Sequence, residues 1–375
     1  MSDDRVAILG AGPIGLACAL LLSTRGIKSQ LIDARSLEQA RQDRRLLALS
    51  RGTMELLGGL LGPAFGSVGR IFEVHVSSSG QFGATRLTGR DFGSDALGAT
   101  IWYADLVQAL ARVADADPNI AIRRPCRVID VEQSRDAVLI RLDDSRCVEA
   151  PIAINAEGSN ANGPSCSSAA LLAELDVDGL PSGTAVERFT RDGPLALLPL
   201  PAAAGARKSM IWCLDHDIAL QRLAWSDAEF TGKIQAMLGA RIGRVTWAGP
   251  RSAFPLVEQR RARLREHRLV YIGNAAQSLH PVAGQGFNLG MRDCVCLADS
   301  LAQATGDPIK TLSRYEAVRK ADRFAISRFT GALPGLFASR RAPVVVARSI
   351  ALVAFDLAPA LRRNLSSILM FGVRH

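Results

Sequence analysis

The first stretch with residue types suited to chemistry is Gly10-Ala11-Gly12-Pro13-Ile14-Gly15, which lies between an apolar run and an apolar helical pattern. Between a strand and a helix, glycines at this spacing permit a tight turn, the approach of a pyrophosphate to the backbone, and close packing of the helix on the strand. Asp33 lies 23 positions after Gly10, where an acid can bind the ribose hydroxyls of an adenosine. The spacing predicts a dinucleotide site for NAD or FAD.

A second glycine-rich stretch, near the other end of the chain, favours FAD. An apolar run ends at Gly273-Asn274, and His280-Pro281 and then Gly284-Gln285-Gly286 lead into apolar residues at helical spacing. A helix that starts near Gly286 would stabilise negative charge on a reduced flavin ring. FAD is longer than NAD and commonly needs such a returning loop. The chain has no second G-x-G-x-x-G after a strand and no C-x-x-x-x-C dithiol, so we expect a nicotinamide to dock transiently.

A basic block from Asp43 to Ser50 follows the first nucleotide-binding unit. Arg45 within it could bind a pyrophosphate through charge-assisted, bidentate hydrogen bonds. A solvated basic turn explains the same residues equally well. The residues alone leave both interpretations open.

Composition narrows the class of protein. The chain has 375 residues, 48% of them hydrophobic, and a formal charge of +9, which favours acidic partners such as phosphorylated cofactors or anionic lipid. Its seven cysteines are scattered without C-x-x-C pairs or zinc spacing, so we expect reduced thiols, no metal site and a cytoplasmic location. The arginine cluster 260–268 has no interleaved aromatic residues, and we therefore expect no nucleic-acid partner.

The C-terminal segment concentrates positive charge between apolar runs. From residue 340 onward it contains six arginines and a single acid, Asp356. Helices with this bias could lie on an anionic membrane surface, which would place the protein peripherally at the inner face of the membrane. A helical cap over the core is the equally supported alternative.

The order of elements predicts an α/β protein with a Rossmann-like nucleotide domain and an inserted β-sheet domain. We expect a discontinuous FAD-binding domain at 1–70, 98–180 and 265–330, a substrate domain at 71–97 and 181–264, and a C-terminal helical segment at 331–375. Individual predictions include a strand from Glu187 to Leu200, helices at 104–114, 227–238 and 315–328, and an exposed loop at 159–168.

Five stretches resemble the single-component aromatic hydroxylases of the p-hydroxybenzoate hydroxylase fold. They are GAGPIGLACAL at Gly10, DRRLLALSRGT at Asp43, VHVSSSGQFG at Val74, ERFTRDGPLALLPL at Glu187 and GNAAQSLHPVAGQGFNLGMRD at Gly273. Within this family the chain is most similar to the ubiquinone-biosynthesis branch, the 2-polyprenyl-6-methoxyphenol hydroxylases, since Gly273-Asn274 replaces the Gly-Asp of most members.

The resemblance implies a reaction and a set of partners. FAD would be reduced by NAD(P)H and would react with oxygen to form a C4a-hydroperoxide, whose terminal oxygen passes to a phenol ring. The substrate would be a polyprenyl phenol, and a ubiquinone-biosynthesis enzyme complex would be a partner. Two alternatives stay open: a flavin monooxygenase for another phenol or ring position, and a flavin-bearing scaffold of that complex without activity.

The resemblance also implies roles for individual residues. Pro281 would lie beside the flavin ring where oxygen reacts, and His280 is the weaker catalytic candidate. Arg188 and Trp212, on the expected substrate sheet, are weaker still. The residues expected to bind the cofactor are Gly10, Gly12, Pro13, Ile14, Gly15, Asp33, Arg45, Gln108, Glu157, Gly158, Gly273, Asn274, Gly284, Gly286, Phe287 and Asn288.

Two departures from the family pattern concern the wall of the site. Glu157-Gly158 replaces the usual Asp-Gly pair, and the segment 159–184 is short and lacks the family's Tyr-x-Gln strand. We therefore expect a locally rebuilt wall or reduced activity.

Overall fold

The computed structural model describes residues 4–79, 83–158, 168–201, 207–240, 242–257, 259–279, 284–304 and 306–338, with side chains described up to residue 324. The helices are α1 Pro13–Ser23, α2 Leu37–Arg41, α3 Arg51–Leu61, α4 Tyr103–Asp115, α5 His216–Leu223, α6 Asp227–Leu238, α7 Gln285–Ala302 and α8 Pro308–Ala338. The strands up to residue 158 are β1 Val6–Leu9, β2 Ser29–Ile32, β3 Leu46–Ser50, β4 Gly69–Ile71, β5 Glu73–Ser78, β6 Ala84–Thr88, β7 Gly98–Trp102, β8 Ile120–Arg123, β9 Val128–Gln133, β10 Val138–Leu142, β11 Cys147–Ala150 and β12 Ala153–Asn155. The later strands are β13 Ser168–Asp178, β14 Thr184–Phe189, β15 Pro194–Pro199, β16 Arg207–Asp215, β17 Arg244–Ala248, β18 Ser252–Leu256, β19 Gln259–Arg260, β20 Arg265–Glu266, β21 Leu269–Tyr271 and β22 Gln277–Ser278.

The nucleotide half is built on a six-stranded sheet in the order β20-β21-β12-β1-β2-β8. All of its strands except β20 run parallel. Its central strands are apolar and buried on both faces, as in a sheet covered by helices on each side. Because β1 and β21 are parallel neighbours of β12, their carboxyl ends meet at one edge. This edge brings the Gly10 and Gly273 turns together.

The second half is an eight-stranded sheet in the order β17-β13-β16-β15-β14-β5-β6, with β18 also paired to β13. Its strands alternate between two environments, because successive side chains of a strand point to opposite faces. One face packs against α5 and α6, and the fully buried residues of this shared core include Leu171 and Trp212 of the sheet and Phe230 of α6. The other face is turned toward the nucleotide half.

Most predicted elements are present in the structure. The helix predicted at 227–238 is α6, and those predicted at 104–114 and 315–328 are the longer α4 and α8. The strand predicted from Glu187 to Leu200 is wrong: it is two strands, β14 and β15, separated by a turn in which the hydroxyl of Thr190 donates to the carbonyl of Gly193 (2.6 Å). A hydrophobic pattern cannot distinguish one long strand from a tight hairpin.

The domain ranges stay a prediction, although the sheets refine one position. Strand β13, at 168–178, lies within the range expected for the FAD-binding domain, yet it is hydrogen-bonded into the eight-stranded sheet. β13 pairs with β16 from Ser168 to Asp176, so the cavity wall expected to be rebuilt after Glu157 contains a regular strand from Ser168 onward. The exposed loop predicted at 159–168 lies outside the described residues except for Ser168, which begins β13.

A buried charged network joins α7 to α8. Arg319 donates through Nε to Asp293 (2.7 Å) and through Nη1 to Asp322 (2.6 Å), and all three residues are at most 5% exposed. Asp293 also accepts the backbone N–H of Gly273 (3.0 Å). Burial raises the pKa of Asp293, and the charge of Arg319 opposes that shift. The network therefore ties the second glycine turn to two helices.

We predict that Arg319→Ala lowers the free energy of unfolding by about 3–5 kcal/mol, because it leaves the buried Asp293 carboxylate without its cation. Urea denaturation followed by circular dichroism measures this change. The control is Arg314→Ala, which removes an exposed arginine of the same helix and should change the free energy by less than about 0.5 kcal/mol. Equal effects of the two variants would contradict the assigned role of the network.

Candidate functional site

A large cavity lies between the inner face of the eight-stranded sheet and the first turns of α1 and α7. Its volume is about 2040 Å³, twice the upper end of the usual range for small-molecule sites, roughly 300–1,000 Å³. The cavity therefore has room for a dinucleotide and a second ligand. The predicted cofactor residues that line it are Gly10, Gly12, Pro13, Ile14, Asp33, Arg45, Glu157, Gly158, Gly273, Asn274, Gly284, Gly286, Phe287 and Asn288.

Two helix N-termini open into this cavity without a side-chain cap. Helix α1 is preceded by Gly12 and α7 by Gly284, and neither N-terminus receives a hydrogen bond from a capping side chain. A ligand with electron-rich groups can therefore occupy both ends and accept from their free N–H groups. Two separated groups of one ligand, such as a pyrophosphate and a flavin ring, match this pair.

Two glycines of the first turn are required for different physical reasons. Gly10 has φ of +102°, and a Cβ there would lie 2.8 Å from the carbonyl oxygen of Ala156. A Cβ at Gly15 would overlap the carbonyl oxygen of Gly10. Gly15 does not line the cavity, since it serves the close packing of α1 on β1, as its spacing predicted.

Asp33 holds the first turn in shape. Its Oδ2 accepts the N–H of Ala11 (2.6 Å), and its Oδ1 accepts the N–H of Arg35 (2.7 Å). The side chain is nearly buried and borders the cavity. Across from it lies Glu157, whose pKa is raised by burial and by the charge of Asp33. The second acid therefore adds negative charge near the position predicted for the adenosine ribose.

The two glycine turns meet through Ile14. A Cβ added to Gly273 would lie 3.1 Å from Ile14, and one added to Gly290 of α7 would lie 2.8 Å from Ile14 and 3.0 Å from the Cα of Gly273. Residues without a Cβ therefore allow α1, α7 and the 273 turn to approach closely. Asn274 is exposed beside this contact and lines the cavity.

Asn288 is a clamp between α7 and β3. Its Nδ2 donates to the carbonyl oxygens of Gly284 (2.8 Å) and Ala48 (3.0 Å), and its Oδ1 accepts the N–H of Ser50 (2.8 Å). Both ends of the amide are engaged with backbone, so this residue positions the glycine loop. Its predicted contact with the flavin stays a prediction.

On the opposite side of the cavity the structure separates Arg45 from Gln108. Arg45 lines the cavity, donates to Asp43 (2.6 Å between Nη2 and Oδ2) and lies over the ring of Tyr103 at 4.8 Å from its centroid. Gln108 is exposed on α4 and is not among the lining residues. The residues of α4 that line the cavity are those of its first turn, Tyr103, Ala104 and Asp105, and the hydroxyl of Tyr103 accepts from Arg35 (3.2 Å).

Sequence reasoning missed Tyr103 and Arg35. An available signal was position, because Tyr103 is the first residue of α4 after strand β7, at the strand end where α/β proteins place ligands. Arg35 follows two residues after Asp33, the acid that is predicted to bind the ribose. Gln108 was expected at the cofactor from the family resemblance, although it lies more than a turn from the strand end.

Two catalytic candidates, His280 and Pro281, lie outside the described residues. The structure places Arg188 and Trp212 on the face of the eight-stranded sheet that is turned away from the cavity. Arg188 donates to the carbonyl of Met237 (3.0 Å) in α6, and Trp212 is fully buried in the second core. These two residues do not form the substrate wall, because strand alternation points them to the helices.

Comparison with known proteins identifies the family. The sequence model of the FAD-binding domain matches residues 3–138 and 145–330. The chain belongs to this family. The protein is an FAD-dependent monooxygenase of the aromatic hydroxylase type, with NAD(P)H as the co-substrate typical of the class.

Similar proteins give the branch. Ubiquinone hydroxylase UbiL of Rhodospirillum rubrum is 30% identical over 96% of this chain and 89% of its own length. The 3-demethoxyubiquinol 3-hydroxylase of Escherichia coli is 26% identical over 96% of each chain. The monooxygenase therefore groups with the ubiquinone-biosynthesis hydroxylases.

Solved structures confirm the p-hydroxybenzoate hydroxylase fold. The p-nitrophenol 4-monooxygenase of Pseudomonas putida superposes with a TM-score of 0.78 over all of both chains at 15% identity. HpxO of Klebsiella pneumoniae, solved with FAD and uric acid, has a TM-score of 0.72 over 98% of each chain at 18% identity. At these identities the likeness concerns the fold.

The residues of this monooxygenase fit FAD. The uncapped N-termini of α1 and α7 suit the pyrophosphate and the electron-rich edge of the flavin, and Asp33 borders the adenosine end. Bound there, the flavin supplies the redox and oxygen-transfer chemistry, and the protein supplies position and electrostatics.

Gly286 gives a test of this placement, because it lines the cavity and an added Cβ would have open space among the described residues. We predict that Gly286→Ala changes the free energy of unfolding of the FAD-free protein by less than about 1 kcal/mol but weakens FAD binding at least about tenfold, or about 1.4 kcal/mol. Denaturation and fluorescence titration with FAD measure the two quantities.

The matched control for Gly286→Ala is Gly58→Ala in α3, which also has open space around its Cβ and lies away from the cavity. It should leave FAD affinity unchanged. Unaltered FAD affinity in Gly286→Ala would place the flavin elsewhere in the cavity.

Proposed function

We propose that this monooxygenase hydroxylates the ring of a polyprenyl phenol in ubiquinone biosynthesis. The observation that carries the proposal is the near full-length similarity, on both chains, to hydroxylases named for that pathway. The wall of the cavity adds support. Its sheet face presents Val74, Leu172, Ala196, Leu198 and Ile211, an apolar surface that suits an isoprenoid tail.

The chain's own residues contribute position and exclusion of water. The network at Asp293 and the clamp at Asn288 fix both ends of the second glycine loop, so the helix α7 dipole keeps its direction relative to the cavity. The apolar sheet face would hold the phenol close to the flavin and would keep water away. Excluding water prevents side reactions of the activated oxygen before it reaches the ring. A group that accepts the phenolic proton would activate the ring, because a phenolate ring is more electron-rich than a phenol ring.

We expect the chain to restore ubiquinone when it is expressed in a bacterial strain that lacks the corresponding ring hydroxylase, with mass spectrometry of extracted quinones as the measurement. Gly15→Ala is the matched loss-of-cofactor control, since its Cβ would overlap the backbone of Gly10. If the wild-type chain binds FAD but leaves the intermediate unconverted, the substrate is another phenol or another ring position. If no phenol stimulates NAD(P)H oxidation, the chain is a flavin-bearing scaffold.

We further propose a cytoplasmic protein that contacts the inner face of the membrane and a ubiquinone-biosynthesis complex. In the part of the chain that the structure describes, no helix is long and apolar enough to span a bilayer. The basic segment from residue 340 onward lies outside the described residues, and its six arginines support a surface contact. A polyprenyl substrate dissolves in the bilayer, so such a contact would bring the cavity to it.

We predict that the double change Arg362→Gln and Arg363→Gln weakens binding to vesicles containing anionic lipid about 30-fold, since each arginine near such a surface contributes about 1 kcal/mol. Co-sedimentation at low and high salt measures this effect. The double change Arg90→Gln and Arg263→Gln, at two exposed positions elsewhere, serves as control. Equal binding of both double variants would favour the alternative of a helical cap over the core.

A further inference from the structure

One carboxylate stands out on the apolar wall of the cavity. Glu187 of β14 lies in a row that crosses the sheet, between Val76 of β5 and Ala196 of β15, followed by Ile211 of β16. All four residues are half-buried, and Glu187, Ala196 and Ile211 line the cavity. The acid is therefore presented to the space where the apolar substrate would lie.

The Glu187 side chain makes no hydrogen bond or ion pair with any described residue, so no described residue neutralises its charge. The nearest cations of the same sheet point to the opposite face: Arg188 donates to Met237, and Lys208 donates to the carbonyls of Pro181 (2.7 Å) and Ser182 (2.6 Å). His75 of β5 also lies on that face, in register with the buried Val186.

Few titratable groups share the cavity face with Glu187. Those that line the cavity are Cys213 of β16, Glu174 of β13, and Arg251 just before β18, which donates to Asp227 (2.8 Å). Burial raises the pKa of Glu187 to about 8 and also raises the pKa of the Cys213 thiol, to which the charge of Glu187 adds. A carboxylate in such surroundings is costly unless a ligand uses it.

We propose that Glu187 is the catalytic base that accepts the proton of the substrate's phenolic hydroxyl and orients the ring toward the flavin. This inference rests on the proposed function, because it takes a phenol as the substrate of the cavity. In the step, the phenolic O–H bond breaks, a carboxyl O–H bond forms at Glu187, and the electron pair stays on the phenolate oxygen. The proton returns to that oxygen before the product leaves, so the cycle has no net proton change at Glu187.

The chemistry suits the transfer. A phenol has a pKa near 10 and an ordinary glutamate one near 4.3, so an exposed carboxylate is a poor base for it. Because burial raises the pKa of Glu187 to about 8, its basicity is closer to that of the phenolate, and the proton transfer is correspondingly less uphill. The phenolate is the more electron-rich ring and reacts more readily with an electrophilic oxygen.

The test compares Glu187→Gln with wild-type holoenzyme on a phenol that bears a single isoprene unit. We expect the wild-type kcat/KM for hydroxylation to rise with pH through about 8, since only the carboxylate form accepts a proton. Glu187→Gln should lose this rise and fall by about 10²–10⁴-fold. On a more acidic, ring-fluorinated phenol the difference between the two enzymes should shrink, because that phenol needs a weaker base to lose its proton.

The matched control is Glu73→Gln, which removes an acid of the neighbouring strand β5 that does not line the cavity and forms an ion pair with Arg86 (3.0 Å). It should retain the pH dependence and lose less than threefold in kcat/KM. Visible absorbance of bound FAD shows whether each variant is folded. A Glu187→Gln enzyme that keeps both the pH dependence and the activity overturns the assignment.

Two further measurements keep the outcomes separate. If Glu187→Gln does not retain FAD, the wild-type pH profile decides, because a kcat/KM that does not rise with pH through about 8 overturns the role of Glu187. If the wild type converts simple phenols but no prenylated one, the proposed substrate fails, and the comparison of variants is made on the phenol that is converted.

Discussion

The close approach of α1, α7 and the turn at Gly273 is the constraint on which the rest of the structure depends. Ile14 fills the space left by Gly273 and Gly290, since an added Cβ would lie only 3.1 Å from it at Gly273 and 2.8 Å from it at Gly290. This contact brings together two helix N-termini that are more than 260 residues apart in the chain. A split dinucleotide site requires both ends at once, because its ligand is electron-rich at the pyrophosphate and at the flavin ring.

A buried ion pair between Asp293 and Arg319 stabilises the same arrangement of α7 and the turn at Gly273. Asp293 accepts from Gly273 on one side and from Arg319 on the other, so the conformation of the turn is coupled to the packing of α7 on α8. The isolated acid would carry a large desolvation penalty in this core, and the pair with Arg319 offsets it. Arg323 extends the coupling by donating to Gln277 (3.0 Å) just beyond the turn. Arginines of the 260–268 cluster have similar structural partners, since Arg268 is buried and donates to the carbonyl of Pro151 (2.9 Å).

Alternate side chains along each strand of the eight-stranded sheet point to opposite faces, toward the helices α5 and α6 or toward the cavity. On β14, Val186 and Arg188 face the helices, whereas Ala185 and Glu187 face the cavity. The same sequence segment therefore supplies a core residue, a helix contact, a wall and an acid within four positions. Burial of the Glu187 carboxylate is energetically unfavourable, and it occurs at a position where a phenol would contact it. This agrees with the general tendency of shifted pKa values to cluster at functional sites.

The sequence by itself determined the nucleotide units and most of the elements. Gly10, Gly12, Gly15 and Asp33 have fixed local roles, and the spacing of these residues along one strand, turn and helix encodes them. Helices α4 and α6 followed equally directly from their apolar periodicity. Only the tertiary structure decided which side chains face the cavity, because that depends on strand register and on packing between distant segments. Tyr103 replaced Gln108 at the cavity, Trp212 and Arg188 turned to the opposite face, and Glu187 emerged on the wall, since a one-residue difference along a strand reverses the direction of its side chain.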